Sequence, residues 1–211
     1  MKNLLIIGAR GFGRTVYNLF LQCQPHMNDT TCKGFLDDKA DALNGFENYP
    51  PVISGIDDYE IQPDDVFICA LGSTKWKKFY AEKIIERGGK FISLIHPDVH
   101  LGLNTEIGIG SIIMERCFIS CDVKVGRFVT ILQGTSVGHD ATVGDWSHLG
   151  ALSFLGGFAR VGQLATFQTN AILLPHKSVG DEATVGAGSV VILNAKPQTT
   201  VFGVPATKLN V

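Results

Sequence analysis

The second half of the chain is organised by a six-residue period. Counting every sixth residue from Leu101 through Ile107, Ile113, Ile119 and onward to Val191 gives sixteen positions, all apolar. With 45% apolar residues in the chain, such a run in any of six phases has a chance on the order of 10⁻⁵. The positions two residues earlier are mostly small, among them Thr105, Ser111, Cys117, Thr135, Ala141, Ser147, Ala165 and Ala183. Glycine follows the apolar residue at 102, 108, 126, 144, 150, 156, 162, 180 and 186. A hexapeptide repeat predicts a β-helix, each rung supplying one short strand and one turn. The aliphatic residue points inward, the small residue shares the crowded interior, and glycine is expected at the turn because it accepts unusual φ. No rung can bury its apolar face alone, so the array is cooperative and nearly one-dimensional.

The first half has a different rhythm. LLII at 4–7 is a short apolar run ending in the turn GARGFG, followed by a helix-like stretch from Arg14 to about Gln22. Strands are expected at CKGFL (32–36), near PVIS (51–54), at DVFICAL (65–71) and at FISLI (91–95). GST at 72–74 opens a second helix over KWKKFYAEKIIERGG. Strands alternating with helices predict βαβ units on a parallel sheet. The expected fold is thus an α/β Rossmann-like domain over residues 1–94 and an all-β helix domain over 95–211.

Composition narrows the function. The net charge of −2 gives no reason to expect a nucleic acid or an anionic membrane as partner. The N-terminal apolar run is too short to span a bilayer, and the glycine-rich turn after it is unlike a signal-peptide cleavage site. Five cysteines form no CxxC pair, which favours reduced thiols and a cytoplasmic protein.

Within the repeat, TSVGHDATVG at 135–144 is interrupted by the neighbours His139 and Asp140. Together with IIGARGFGR, FLDD, ALGS, LIHP, VFGVPATK and the hexapeptide run, they carry a resemblance. The chain resembles the left-handed β-helix acyltransferases, and within them the bacterial sugar acetyltransferases with a Rossmann-like nucleotide-sugar domain in front. Those include N-acetyltransferases of UDP-amino-sugars and O-acetyltransferases of sialic acid. The resemblance implies three rungs per coil, so residues eighteen apart stack. Glycines 108, 126, 144, 162 and 180 then form one column, and Cys121, His139, Gly157 and Pro175 another.

The resemblance also implies roles. His139 matches the family's general base, Asp140 the acidic residue that raises its basicity, and the Gly157 N–H the oxyanion donor. A free imidazole, with a pKa of about 6.5, is mostly neutral at pH 7 and able to act as a base. Acetyl-CoA is the implied co-substrate, contacted by His148, Thr169 and Ala187. His148 lies nine residues past His139, one and a half rungs round the coil, and cannot share its corner within one subunit. Thr169 and Ala187 stack on a third position, so one subunit's His139 would face another's Thr169 in a homotrimer. Arg10, Gly11 and Phe12 match positions against the nucleotide-sugar, Asp37 and Asp38 positions on its base or ribose, and Ser73 is a lesser candidate. GARGFG is G-x-x-G-x-G, not the dinucleotide pattern G-x-G-x-x-G. Phe12 stands where close relatives often have His. No metal is expected, because the spacing of His139, His148 and His176 lacks a close ligand pair. The leading expectation is N-acetylation of a nucleotide-linked amino sugar for surface glycan synthesis. Sugar O-acetylation of the sialic-acid type, and a non-catalytic trimeric sugar-nucleotide scaffold, are the alternatives.

Overall fold

Residues 1–27 and 29–209 are described by the structure, a computed structural model. The chain divides into two compact units, Met1–Leu94 and Ile95–Val211.

The first unit is built on five strands: β1 (Lys2–Ile7), β2 (Thr30–Leu36), β3 (Val52–Ser54), β4 (Asp65–Cys69) and β5 (Lys90–Phe91). They lie in the order β3-β2-β1-β4-β5, and every pairing is parallel. Leu4 to Ile7 on β1 and Phe67 and Ile68 on β4 are fully buried, as expected of central strands in a parallel sheet. Helix α1 (Gly11–Cys23) buries Gly13, Val16, Leu19, Phe20 and Cys23, spaced three or four apart as one helical face requires. It starts three residues before the expected Arg14, because Gly11 to Gly13 form its first turn and not a loop. A Cβ on Gly13 would collide with the Gly8 carbonyl oxygen, which fixes the close approach of helix and strand at this turn. Helix α2 (Thr74–Glu86) is capped by Ser73, whose hydroxyl accepts from the Trp76 N–H. One polar residue of α2 is not on its solvent side. Lys77 is buried next to Cys69, and burial pushes its ammonium down to about 7.

The FISLI run does not form one strand. Lys90–Phe91 closes the first sheet, while Leu94–Ile95 is the end strand of a sheet in the solenoid. A run of apolar residues states burial but not which sheet buries it.

The second unit is a parallel β-solenoid of two-residue strands arranged in three sheets, closed by a three-residue strand (Thr200–Phe202) that pairs antiparallel with Thr207–Lys208. Face one carries Ile112–Ile113, Thr130–Ile131, His148–Leu149, Thr166–Phe167 and Thr184–Val185. Face two carries His100–Leu101 through Ser136–Val137 and Phe154–Leu155 to Val190–Val191. Face three carries Glu106–Ile107 through Thr142–Val143 to Ser178–Val179. Strands pair with those eighteen residues away, so Ser136–Val137 sits between Phe118–Ile119 and Phe154–Leu155. The inward residues of the period make one continuous core from Ile113 to Val191. Ile107 is half-buried against this core, and Leu101 on the first coil remains 42% exposed.

Two features of the repeat have a different cause from the expected one. The glycine after each inward residue does not need an unusual φ. The left-handed conformation falls two residues later, on residues such as Asp122 (φ 58°), Asp140 (φ 58°) and Phe158 (φ 59°). The glycine is instead required by contact between coils: a Cβ on Gly138 would lie 2.6 Å from the Gly157 nitrogen. The small residues do more than fit. Thr135 donates to the Gly150 carbonyl at 2.9 Å and Ser147 to the Gly162 carbonyl at 2.7 Å, each crossing to the next coil. Ser147 also accepts from the Ala165 N–H at 3.2 Å. Ser147→Ala is therefore expected to destabilise the protein by about 1–3 kcal/mol, read as a lowered denaturant midpoint at unchanged slope.

Candidate active site

The corner between faces two and three holds the chemistry-bearing residues of the repeat. His139 follows Gly138 at the end of one face-two strand, and Asp140 takes the left-handed turn position after it. This conformation turns the carboxylate back onto the imidazole, with His139 Nδ1 and Asp140 Oδ2 2.8 Å apart. Both side chains reach solvent, 54% and 42% exposed. With Nδ1 held by the carboxylate, the Nε2 edge is left for an incoming group. That edge lies over Gly157: a Cβ there would stand 2.7 Å from His139 Nε2. The lack of a side chain at Gly157 thus makes room for the neighbouring imidazole.

The corner's N–H groups are open. At the corner between faces three and one, two of the turn N–H groups are capped, Arg127 donating to Asp145 at 2.8 Å and Gln163 to Asp181 at 2.8 Å. Among the described residues, the N–H groups of Cys121, His139 and Gly157 donate to no acceptor. An uncapped backbone N–H is a group that can donate to a developing oxyanion.

Two residues not expected from the sequence complete this corner. The Phe158 ring stands edge-on to His139, centroids 5.2 Å apart at 87°. His176 stacks on Phe158 at 4.8 Å and 8°. Both occupy the same turn position as Asp140, one and two coils on, so the eighteen-residue spacing is the signal that would have found them.

The proposed acetyl-CoA contacts are placed apart from that corner within the chain. Thr169 and Ala187 lie on the corner between faces one and two, and their N–H groups also donate to no acceptor among the described residues. His148 sits half-buried on the outward side of its face-one strand, flanked by Thr130 and Thr166.

In the first unit a cavity of about 650 Å³ is lined by Arg10, Phe12, Asp37, Asp38 and Ser73, together with Trp76 and Tyr80. Gly11, the remaining candidate, is the first residue of α1 and is not part of the lining. The cavity opens where β1 and β4 end, at Gly8 and at Ala70 to Gly72. The strand order reverses between those two strands, which is where parallel α/β sheets bind ligands. Arg10, the residue before α1, makes no side-chain cap hydrogen bond, and the N-terminus of a helix favours an anion. Asp37 has a structural duty, accepting from the Ala9 N–H at 2.8 Å and the Lys39 N–H at 3.0 Å. Asp38 accepts from the Ile56 N–H at 3.2 Å and from the Tyr80 hydroxyl at 3.1 Å. Ser73 is the cap of α2, so its place in the wall is shared with that role. Among the described residues no cluster of His, Cys, Asp and Glu is arranged to hold a metal ion, and no helix is long and apolar enough to cross a membrane.

Fold and repeat together define a hexapeptide-repeat protein with a parallel α/β unit in front. Comparison with known proteins narrows this. Residues 3–84 match the family described as the PglD N-terminal domain. UDP-N-acetylbacillosamine N-acetyltransferase of Bacillus subtilis (strain 168) is 30% identical over 118 residues, covering 54% of this chain and 52% of that one. GDP-perosamine N-acetyltransferase of Escherichia coli O157:H7 is 26% identical over 203 residues, covering 94% and 81%. The crystal structure of PerB from Caulobacter crescentus in complex with CoA and GDP-perosamine has a TM-score of 0.90 at 25% identity, covering 100% of this chain and 98% of that one. The chain spans about half the length of the first of these curated relatives. Along its length it is similar to hexapeptide-repeat sugar N-acetyltransferases.

Proposed function

We propose that the protein transfers the acetyl group of acetyl-CoA to the amino group of a nucleotide-linked amino sugar, for surface glycan synthesis in the cytoplasm. One observation carries this reading: His139, braced by Asp140, holds its Nε2 edge where a side chain on Gly157 would stand, and the Gly157 N–H is uncapped among the described residues. The relatives support the substrate class, since those named act on amino-sugar nucleotides and PerB is complexed with CoA.

The chemistry follows from the atoms. The acceptor amine attacks the thioester carbonyl carbon and forms the C–N bond. His139 Nε2 takes the proton that the nitrogen must shed. Asp140 keeps Nδ1 as the protonated, donating nitrogen and stabilises the imidazolium that results. The Gly157 N–H donates to the oxygen that gains negative charge, a contact typically worth about 3 kcal/mol. Collapse of the tetrahedral intermediate breaks the C–S bond, and the imidazolium returns a proton to the departing thiolate.

The first unit is the Rossmann-like nucleotide-sugar domain in this reading, supported by its strand order and by the cavity at the reversal point. Arg10, Gly11 and the first turn of α1 take the diphosphate, Asp37 and Asp38 the base or ribose, and Phe12 and Ser73 the remaining walls. The solenoid is left-handed and trimeric. Thr169 and Ala187 of one subunit offer backbone N–H groups to acetyl-CoA opposite another subunit's His139, and His148 contacts the same molecule. Thiol release from acetyl-CoA with a panel of UDP-, GDP- and dTDP-linked amino sugars tests the activity. Turnover with one of them and a new amide in the product are expected, whereas thiol release with hydroxyl acceptors alone would replace the reading with O-acetylation. Light scattering is expected to give three times the chain mass, and a monomer would leave no groove between subunits.

A further inference from the structure

Helix α2 presents three aromatic residues at the i, i+3, i+4 spacing of one helical face: Trp76, Phe79 and Tyr80. Trp76 is 58% exposed and Phe79 45%. A large apolar ring held in water needs a reason, and its neighbours hold this one in place. Phe79 stands edge-on to the indole at 5.6 Å and 85°, and Tyr80 lies beside it at 6.0 Å and 32°. The Lys83 ammonium lies over Phe79 and Tyr80, at 4.8 and 5.9 Å. Among the described residues no cation lies over Trp76.

Trp76 and Tyr80 are also walls of the cavity that holds Arg10 and the two carboxylates. Tyr80 joins the aromatic wall to the acidic one, since its hydroxyl donates to Asp38 Oδ2 at 3.1 Å. Asp38 is held at its other oxygen by the Ile56 N–H, and each oxygen retains a second lone pair for a ligand N–H or O–H. The cavity therefore has two chemically distinct ends. Arg10 and the first turn of α1 favour an anion. Trp76 and Asp38 favour a flat apolar face whose edge carries hydrogen-bond donors, and the carboxylates repel phosphate from that end. A nucleobase with its ribose has this combination.

We propose that the Trp76 indole is the stacking platform for the nucleobase of the substrate. The inference rests on the reading of the first unit as a nucleotide-sugar domain. It places base recognition on α2, and it makes Trp76 a specificity-determining residue remote from the transferred group.

The test uses the full chain with UDP and GDP as probes. The protein has two tryptophans, and the other, Trp146, is buried and stacked on Phe128 at 4.1 Å. Saturable quenching of the exposed tryptophan emission is expected on titration with either nucleotide. By calorimetry, Trp76→Ala is expected to weaken binding roughly tenfold, the 1.4 kcal/mol within reach of one stacked base. Trp76→Phe keeps a ring and is expected to stay close to wild type. In turnover, Trp76→Ala is expected to raise KM for the nucleotide sugar and leave kcat unchanged. Wild-type affinity in Trp76→Ala overturns the platform while leaving the nucleotide reading intact. Equal loss in both variants, or a lowered unfolding midpoint in Trp76→Ala, shows a structural role and overturns it too. If neither of these nucleotides, nor dTDP, binds the wild-type protein, the platform and the nucleotide reading fall together.

Discussion

Replacing His139 by Ala is expected to lower kcat by roughly 10²–10⁴-fold, the range for removing a general base, while acetyl-CoA still binds with wild-type affinity. The two outcomes separate because of where the residue stands. His139 is 54% exposed at a turn, contributes nothing to the inward column, and its loss leaves the coil's backbone bonds in place. Its turn carbonyl, which accepts from the Phe158 N–H at 2.9 Å, is kept by any residue at the position. The loss therefore falls on proton transfer alone. Asp140→Asn should cost less than this, since the imidazole keeps a hydrogen-bond partner of the same shape but loses the charge that stabilises its cation. The pair of variants is measured by steady-state kinetics on a confirmed acceptor and by calorimetry with acetyl-CoA. Wild-type kcat in His139→Ala would remove the base role, and loss of acetyl-CoA binding would make the residue a binding contact instead.

The parts of this molecule that were legible in the sequence are those a period can carry. The aliphatic column is written every sixth residue because each rung repeats the same inward position, and Ile113 to Val191 are buried in that phase. The same period places His139, Gly157 and Phe158 at one corner, since pairing joins residues eighteen apart. What a period cannot carry was missed. It marks where glycine occurs but not why. The reason at Gly138 is the Gly157 backbone one coil away, a contact that exists only after stacking. It marks Ser147 as small and is silent on the Gly162 carbonyl that takes its proton. In the first unit there is no repeat to lean on. The FISLI run divides between two sheets because strand pairing, not hydrophobicity, assigns it. Lys77 goes inside although it sits among three lysines of a helix that otherwise reads as charged. Trp76 and Tyr80 read as ordinary helix residues in the sequence, because the bond from Tyr80 to Asp38 joins positions forty-two residues apart. Arg10, Asp37 and Asp38 lie outside the helices, while Trp76 and Tyr80 in the same cavity wall belong to α2.

Gly157→Ala is the second substitution with a large expected effect, and its pattern is the reverse of a core mutation. At most coil glycines a new methyl would meet backbone, as Gly138 would meet the Gly157 nitrogen at 2.6 Å. Such contacts cannot relax without moving a whole coil. At Gly157 the three atoms nearest the methyl all belong to the ring of His139, with Nε2 at 2.7 Å and Cε1 at 2.9 Å. That ring is the exposed end of a rotatable side chain, so it swings away and stability changes little. Activity has no such escape. Turning the imidazole breaks its 2.8 Å contact with Asp140 and moves Nε2 from the place where the acceptor amine must lie. A displacement of about 1 Å in a catalytic group can cost roughly 10² in rate, and at least that loss in kcat is expected here. The unfolding midpoint should stay near wild type. The Gly157 N–H remains in the alanine variant, so the loss would be assigned to the base and not to the oxyanion donor. Full activity in Gly157→Ala would mean that the observed ring position is not the reacting one. A large fall in stability would mean that the coil, and not the imidazole, requires the glycine.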